Sequence, residues 1–238
     1  QEKEQELYTT KIDFFTNVAH EIRTPLTLIK CPLENVLADR ELSENVRMEL
    51  EIMDQNVERL LNLINQLLDF RKAENKGFKL NPKEYNIGTI VHSVYKYFTT
   101  LAKQRGIKFE VEVPEEELLA SVDKEALTKI LSNLFANALK YARTYVYLHL
   151  SVDEKNEVFT ISMSNDGNIV PIEMRENIFK AFVQYRDGKD IVSGTGIGLA
   201  MARYLAELHQ GMLVMDRELD CNRFILSIPI LHQTLPDD

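Results

Sequence analysis

Apolar residues at Ile12, Phe15, Ala19, Ile22, Leu26, Ile29, Leu33 and Val36 recur at alternating steps of three and four. That is the heptad spacing of a helix that packs along its length on other helices. Val46, Leu50, Met53, Val57, Leu60, Ile64 and Leu67 repeat the spacing after a polar connection from Asp39 to Glu44. Two such helices joined by a short polar turn fold back as an antiparallel hairpin. A single hairpin cannot enclose its own seam, whereas two copies can do so as a four-helix bundle, so the pattern predicts a homodimer. Pro25 and Pro32 each remove an intrahelical hydrogen bond and predict local kinks in the first helix.

At Lys76-Gly77 the heptads stop, which sets a domain boundary with residues 1–76 on one side and 77–238 on the other. Beyond it, strand patterns cover Phe78–Glu84, Ile107–Val113, Leu118–Val122, Tyr145–Val152, Val158–Ser164, Met212–Arg217 and Arg223–Ile228. Helical patterns cover Ile87–Gln104, Lys124–Ala142 and Gly198–His209. Helices on one face of a mixed sheet make an α/β sandwich. The expected fold class is therefore an α-helical hairpin followed by an α/β sandwich.

With 28 Lys and Arg against 37 Asp and Glu, the net charge is -9, which argues against affinity for DNA or an anionic membrane surface and favours a small ligand or a protein partner. Cys31 and Cys221 stand far apart with no Cys-x-x-Cys or adjoining His, so neither a disulfide framework nor a zinc site is expected, and both read as reduced core thiols. No apolar run reaches the length of a membrane-spanning helix.

Four segments carry chemistry. His20 follows the seam residue Ala19, which places it at the edge of the helical seam, with Glu21 beside it and Thr24 one turn on. An imidazole that is largely neutral near pH 7 can attack through one ring nitrogen while a carboxylate handles the proton on the other. A His-Glu pair alone reads first as a solvated surface pair, since such pairs are common on helices. Asn133, Asn137, Lys140 and Tyr141 line one face of the helix after Asp123, a set suited to Mg·triphosphate because amide oxygens ligate Mg²⁺ without adding charge and the ammonium neutralises phosphate. Helix interiors disfavour Asn, so two on one face need a reason. In Ser193-Gly194-Thr195-Gly196-Ile197-Gly198-Leu199 the glycines permit close backbone approach, and the helix that starts there offers free N–H groups to phosphate. The spacing is neither a Walker A loop nor a Rossmann fingerprint. Last comes Ser164-Asn165-Asp166-Gly167-Asn168-Ile169-Val170-Pro171 at the end of a strand.

The string from Phe15 to Leu26, FTNVAHEIRTPL, closely resembles the H-box of sensor histidine kinases, and the other segments resemble that family's remaining boxes in the family's order, from about Thr9 to Ile230. Asn133 to Tyr141 resembles the N-box, Ile178-Phe179-Lys180-Ala181-Phe182 the F-box, Val183 to Ser193 the ATP lid, and Ser193 to Leu199 the G2 box. The resemblance implies ATP and Mg²⁺ as cofactors, His20 as phosphoacceptor, Glu21 assisting proton transfer and Thr24 positioning a water for removal of phosphate from the partner. It further implies Mg²⁺ on Asn137, nucleotide contacts from Asn133, Asn137, Lys140, Tyr141, Asn165, Asp166, Gly167, Phe182, Gly194, Thr195, Gly196, Gly198 and Leu199, and transfer from phosphohistidine to an Asp of a response-regulator receiver, separate or fused downstream. The sandwich would be the type shared with gyrase and the large heat-shock chaperone, and the chain the cytoplasmic portion of a protein anchored in the cell membrane. At the G1 box the chain departs from the family. Asn165 stands where the adenine-binding Asp is usual and Ile169 replaces a second Gly, so adenine recognition is expected through a neutral acceptor or through Asp166 next door. Two alternatives stay open on these residues, an ATP-poor pseudokinase scaffold and a clamp-type ATPase, with regulator phosphatase activity a variant.

Overall fold

The structure, a computed structural model, describes residues 2–39, 42–74, 79–153, 155–185, 195–216 and 221–231, with side chains described for these except 2–17, 20, 59 and 69–74. It divides into two compact units, Gln1–Phe78 and Lys79–Asp238.

The first unit is a helical hairpin of α1 (Glu2–Leu37) and α2 (Glu44–Glu74). Both prolines lie within α1, and the helix runs through them without interruption. Thr27 Oγ1 donates to Arg23 O at 3.0 Å in the turn that contains Pro25. Ala19, Leu26, Val57, Ile64 and Leu68 are buried together, with Leu61 and Leu67 packed against them. Each fully buried aliphatic side chain contributes about 2 kcal/mol, enough for one hairpin face. The seam is only half used, however: Ile22, Ile29, Val36, Val46, Met53 and Leu60 remain exposed, Ile29 by 52% and Met53 by 55%. The turn is held by Arg47 on α2, whose Nη1 donates to Leu37 O at 3.0 Å and Nη2 to Asp39 O at 2.6 Å, satisfying carbonyls at the end of α1. Lys30 on α1 pairs with Glu34 at 3.5 Å and with Glu58 on α2. Cys31, expected in the core, is exposed, because it falls between the seam positions of α1; Cys221 is half-buried. No helix among the described residues is long and apolar enough to cross a membrane.

In the second unit a two-stranded antiparallel sheet pairs β1 (Lys83–Asn86) with β3 (Leu119–Val122). A five-stranded sheet runs in the order β2 (Lys108–Glu112), β4 (Tyr145–Asp153), β5 (Val158–Asn165), β7 (Asn222–Pro229), β6 (Met212–Met215). β2 and β4 are parallel and the remaining pairs antiparallel. α3 (Ile87–Gln104), α4 (Lys124–Tyr141) and α5 (Gly198–Leu208) cover one face, with α4 packed between the other two. Alternate residues Val146, Leu148 and Leu150 of β4 and Phe159, Ile161 and Met163 of β5 turn inward and are at most 1% exposed. This is the mixed sandwich read from the sequence, with one strand displaced. The first strand was expected over Phe78–Glu84 and instead occupies Lys83–Asn86, since Pro82 has no N–H for the ladder and Asn81 N is drawn to Asp123 Oδ2 at 2.8 Å. Asn86 and Asp123 cap α3 and α4, accepting from Thr89 N at 3.1 Å and Ala126 N at 3.0 Å. Buried His209 at the end of α5 ties this region together: Nε2 accepts from Asp123 N at 3.1 Å while Nδ1 donates to Leu205 O at 2.7 Å, fixing one neutral tautomer.

Candidate active site

In the first unit, the backbone of His20 lies in α1, and its side chain is outside the described residues. Glu21 and Thr24 on the following turn are exposed. Buried Ala19 and Leu26 set the rotation of this part of the helix, so Thr24 and Glu21 keep away from the hairpin core. Arg23, between them, donates from Nη2 to Asn65 Oδ1 on α2 at 2.5 Å.

The second unit gathers most of the remaining candidates around α4. Ala126, Leu127, Ile130, Leu131, Leu134, Phe135, Ala138 and Leu139 bury one side of this helix, which turns Asn133, Asn137, Lys140 and Tyr141 to its half-buried margin. Among the described residues, the Asn137 carboxamide has no hydrogen-bond partner and Lys140 no carboxylate; the ammonium lies 4.7 Å from the Tyr141 ring centroid. An amide oxygen and an unpaired ammonium on one helix face are a fitting donor set for Mg·triphosphate, in which phosphate and water supply most of the ligands. The described residues contain no group of three or more His, Cys, Asp or Glu that would hold a metal by itself.

The start of α5 comes up against this face. A Cβ on Gly198 would meet Asn133 Oδ1 at 2.9 Å, so glycine permits that approach. Residue Ile197 precedes the helix with no side-chain cap, which leaves the first-turn N–H groups of Gly198 and Leu199 available to an anion. Thr195 Oγ1 accepts from Ile197 N at 3.4 Å. Gly196 has φ +71, and a Cβ there would sit 2.9 Å from Phe182 C and from Val183 O. Phe182, itself at φ 66, donates its N–H to Gly196 O at 3.0 Å, so the segment that ends at Phe182 and the glycine loop are stitched together. Phe179 is buried, edge-on to Phe224 and under the Arg203 guanidinium at 4.0 Å. Gly194 and the lid beyond residue 185 lie outside the described residues.

At the end of β5 the roles divide. Asp166 is fully engaged by the loop after α4: its carboxylate accepts from Arg143 N at 2.8 Å, Thr144 N at 2.9 Å, Tyr145 N at 3.2 Å and the Thr144 hydroxyl. Partial burial disfavours its charge, but these donors outweigh it and lower the carboxyl to about 2 from 3.8. Adenine recognition through Asp166 would cost those bonds, so its evident work is to close the turn between α4 and β4. A group with a depressed folded pKa stabilises fully above its unfolded value and ceases to as pH falls through the folded one. The Asp166 contribution is therefore present above about pH 4 and lost toward pH 2. Asp166→Ala should lower stability by about 1–2 kcal/mol at pH 7. In urea titrations of the native chain and the variant, the gap between midpoints should close as pH falls toward 2.

Gly167 follows, so close to α4 that a Cβ would lie 2.2 Å from Tyr141 O and 2.8 Å from Asn165 Nδ2. Asn165 is 2% exposed, and its Nδ2 is buried without a hydrogen-bond partner among the described residues.

Some supporting residues were not singled out from the sequence. Asn222, opposite Asn165 in the β5–β7 ladder, donates to Asn168 O at 2.8 Å and accepts from Val170 N at 3.0 Å, bracing the loop that carries Ile169. Buried Arg175 donates to Val170 O at 3.0 Å and Asp216 O at 2.5 Å. The Asn222–Val170 and Arg175–Asp216 bonds span 52 and 41 positions in the chain, and no local spacing announces such partners.

Residues 10–76 match the model of the His Kinase A (phospho-acceptor) domain, and residues 122–231 that of the histidine kinase-, DNA gyrase B- and HSP90-like ATPase. Histidine kinase P4 of Formosa agariphila is 32% identical over 99% of the chain, and hybrid signal transduction histidine kinase D of Dictyostelium discoideum 34% identical over 96%. The chain spans 18% and 15% of the length of these two proteins. Among solved structures, full-length ShkA in complex with AMPPNP superposes with a TM-score of 0.77 at 24% identity, covering 94% of this chain and 47% of that one. Histidine kinase ThkA in complex with the response regulator TrrA gives 0.66 at 22% identity, covering 98% and 66%.

Proposed function

The chain belongs to the sensor histidine kinases, and from that premise we propose that it transfers the γ-phosphoryl group of ATP to its own His20 and then to an Asp of a response-regulator receiver. The observation that carries the nucleotide half is the α4 face, where Asn137 and Lys140 have no protein partners among the described residues and the uncapped start of α5 meets Asn133.

Lys140 and the α5 N–H groups hold the triphosphate, and Asn137 supplies an oxygen to the metal. When bound, Mg²⁺ neutralises charge on the phosphate oxygens and favours departure of ADP. One His20 ring nitrogen forms a bond to the γ-phosphorus as the bond from that phosphorus to the bridging oxygen breaks. Glu21 holds the proton on the other ring nitrogen and offsets the charge that grows on the ring. Transfer onward exchanges the N–P bond for an acyl phosphate on the receiver. The co-crystallised ThkA and TrrA support a receiver as partner. A pulse with γ-labelled ATP followed by addition of receiver domains should move label from this chain to its cognate receiver within minutes. Label that no member of a complete receiver panel accepts would contradict the transfer step.

The half-buried seam supports a homodimer. Ile22, Ile29 and Val36 on α1 and Val46, Met53 and Leu60 on α2 are exposed in the single hairpin, and a second hairpin would cover them. Ile29→Glu combined with Met53→Glu should halve the mass measured by light scattering, because charge in such a seam is left unpaired.

A further inference from the structure

We propose that the carboxamide of Asn165 makes the base end of the nucleotide site tolerant of purines, so that it takes 6-oxopurine triphosphates about as well as ATP. The inference rests on the nucleotide-site reading above and concerns which base that site admits.

Asn165 closes β5 and is 2% exposed, and its Nδ2 has no hydrogen-bond partner among the described residues. A buried donor without an acceptor is rare in a folded protein and calls for a ligand, a water or a reason. The neighbouring polar groups are already committed. Asp166 turns its carboxylate to the 143–145 turn, Asn222 spends both ends of its carboxamide on Asn168 and Val170, and Ser164 Oγ accepts from Arg223 Nε at 3.0 Å. Nδ2 lies beside Gly167, whose lack of a side chain lets its backbone pack onto Tyr141 O in the last turn of α4, one turn past Asn137. The orphaned donor therefore lies at one end of the proposed nucleotide face.

A carboxylate at this position would offer acceptors alone: it would pair with the adenine amino group and repel a carbonyl at the same place. A carboxamide offers one acceptor and one donor. Against adenine, Oδ1 takes the amino hydrogen and Nδ2 donates to N1. Against hypoxanthine or guanine, Nδ2 donates to O6 and Oδ1 takes the hydrogen on N1. Both edges are satisfied, so binding alone discriminates weakly between them.

The test is calorimetric titration of the complete chain with ATP, inosine triphosphate and purine riboside triphosphate, which lacks a 6-substituent but keeps N1. All three should bind within about tenfold of one another. Asn165→Asp should keep ATP and weaken inosine triphosphate at least about a hundredfold relative to it, because a buried carbonyl then faces a carboxylate. If that variant does not fold, the ligand series on the native chain decides by itself. ATP binding with inosine triphosphate weaker by more than about a hundredfold would overturn the specificity while leaving the nucleotide site intact. Failure of every nucleotide to bind would overturn the nucleotide site, and the specificity with it.

Discussion

Asn137→Ala should slow autophosphorylation about a thousandfold without making the protein less stable. The carboxamide sits half-buried on α4 with no protein hydrogen bond among the described residues, one turn before Lys140. Removing it breaks nothing that holds the fold. Alanine is the better helix former by about 0.6 kcal/mol, so the melting temperature should stay level or rise. Activity and stability then move in opposite directions, which separates a group that positions phosphate and metal from one that holds the helix. Initial rates with labelled ATP and a thermal melt measure the two. A rate within about tenfold of native would remove Asn137 from the proposed metal site.

Gly167→Ala carries the largest structural penalty. Its new Cβ would lie 2.2 Å from Tyr141 O, 2.9 Å from Tyr141 C and 2.8 Å from Asn165 Nδ2. Two of these atoms are backbone, so the strap after β5 and the end of α4 must separate, at a cost of about 3 kcal/mol. The same separation displaces Asn165 from α4 and should weaken ATP binding about a hundredfold. Gly106→Ala is the control. Gly106 has φ +66 but nothing within 4 Å of the added carbon, so only the backbone penalty of about 1 kcal/mol applies. Urea unfolding and calorimetric titration of both variants give the comparison, and equal losses would mean that close packing at Gly167 is unimportant.

What was legible in the sequence was what local spacing controls. The heptads placed α1 and α2, helical periodicity placed α3 and α4, and alternation found the sheet strands. The first strand was misplaced because β propensity around Phe78 ignores the missing N–H of Pro82 and the pull of Asp123 on Asn81. Cys31 was read as buried from composition, whereas the rotation of α1 turns it outward. At the site, the sequence set Asn133, Asn137 and Lys140 on one helix face and glycines at the start of the last helix, and the structure brings Gly198 against Asn133. It could not separate the duties of Asn165 and Asp166. Adjacent residues at the end of a strand point in opposite directions, and only the return of the 143–145 turn decides which is consumed by the fold. Asn222 and Arg175 act across the sheet and were invisible for the same reason.

In the proposed reaction His20 receives a phosphoryl group from ATP bound on the α4 face. Incubation of the complete chain with Mg²⁺ and γ-labelled ATP, beside His20→Gln, tests it most directly. The expected result is label on the native chain that is lost in acid, survives alkali and is absent from the variant. Label that withstands acid, label that persists in His20→Gln, or nucleotide binding with no label on the native chain would each contradict it.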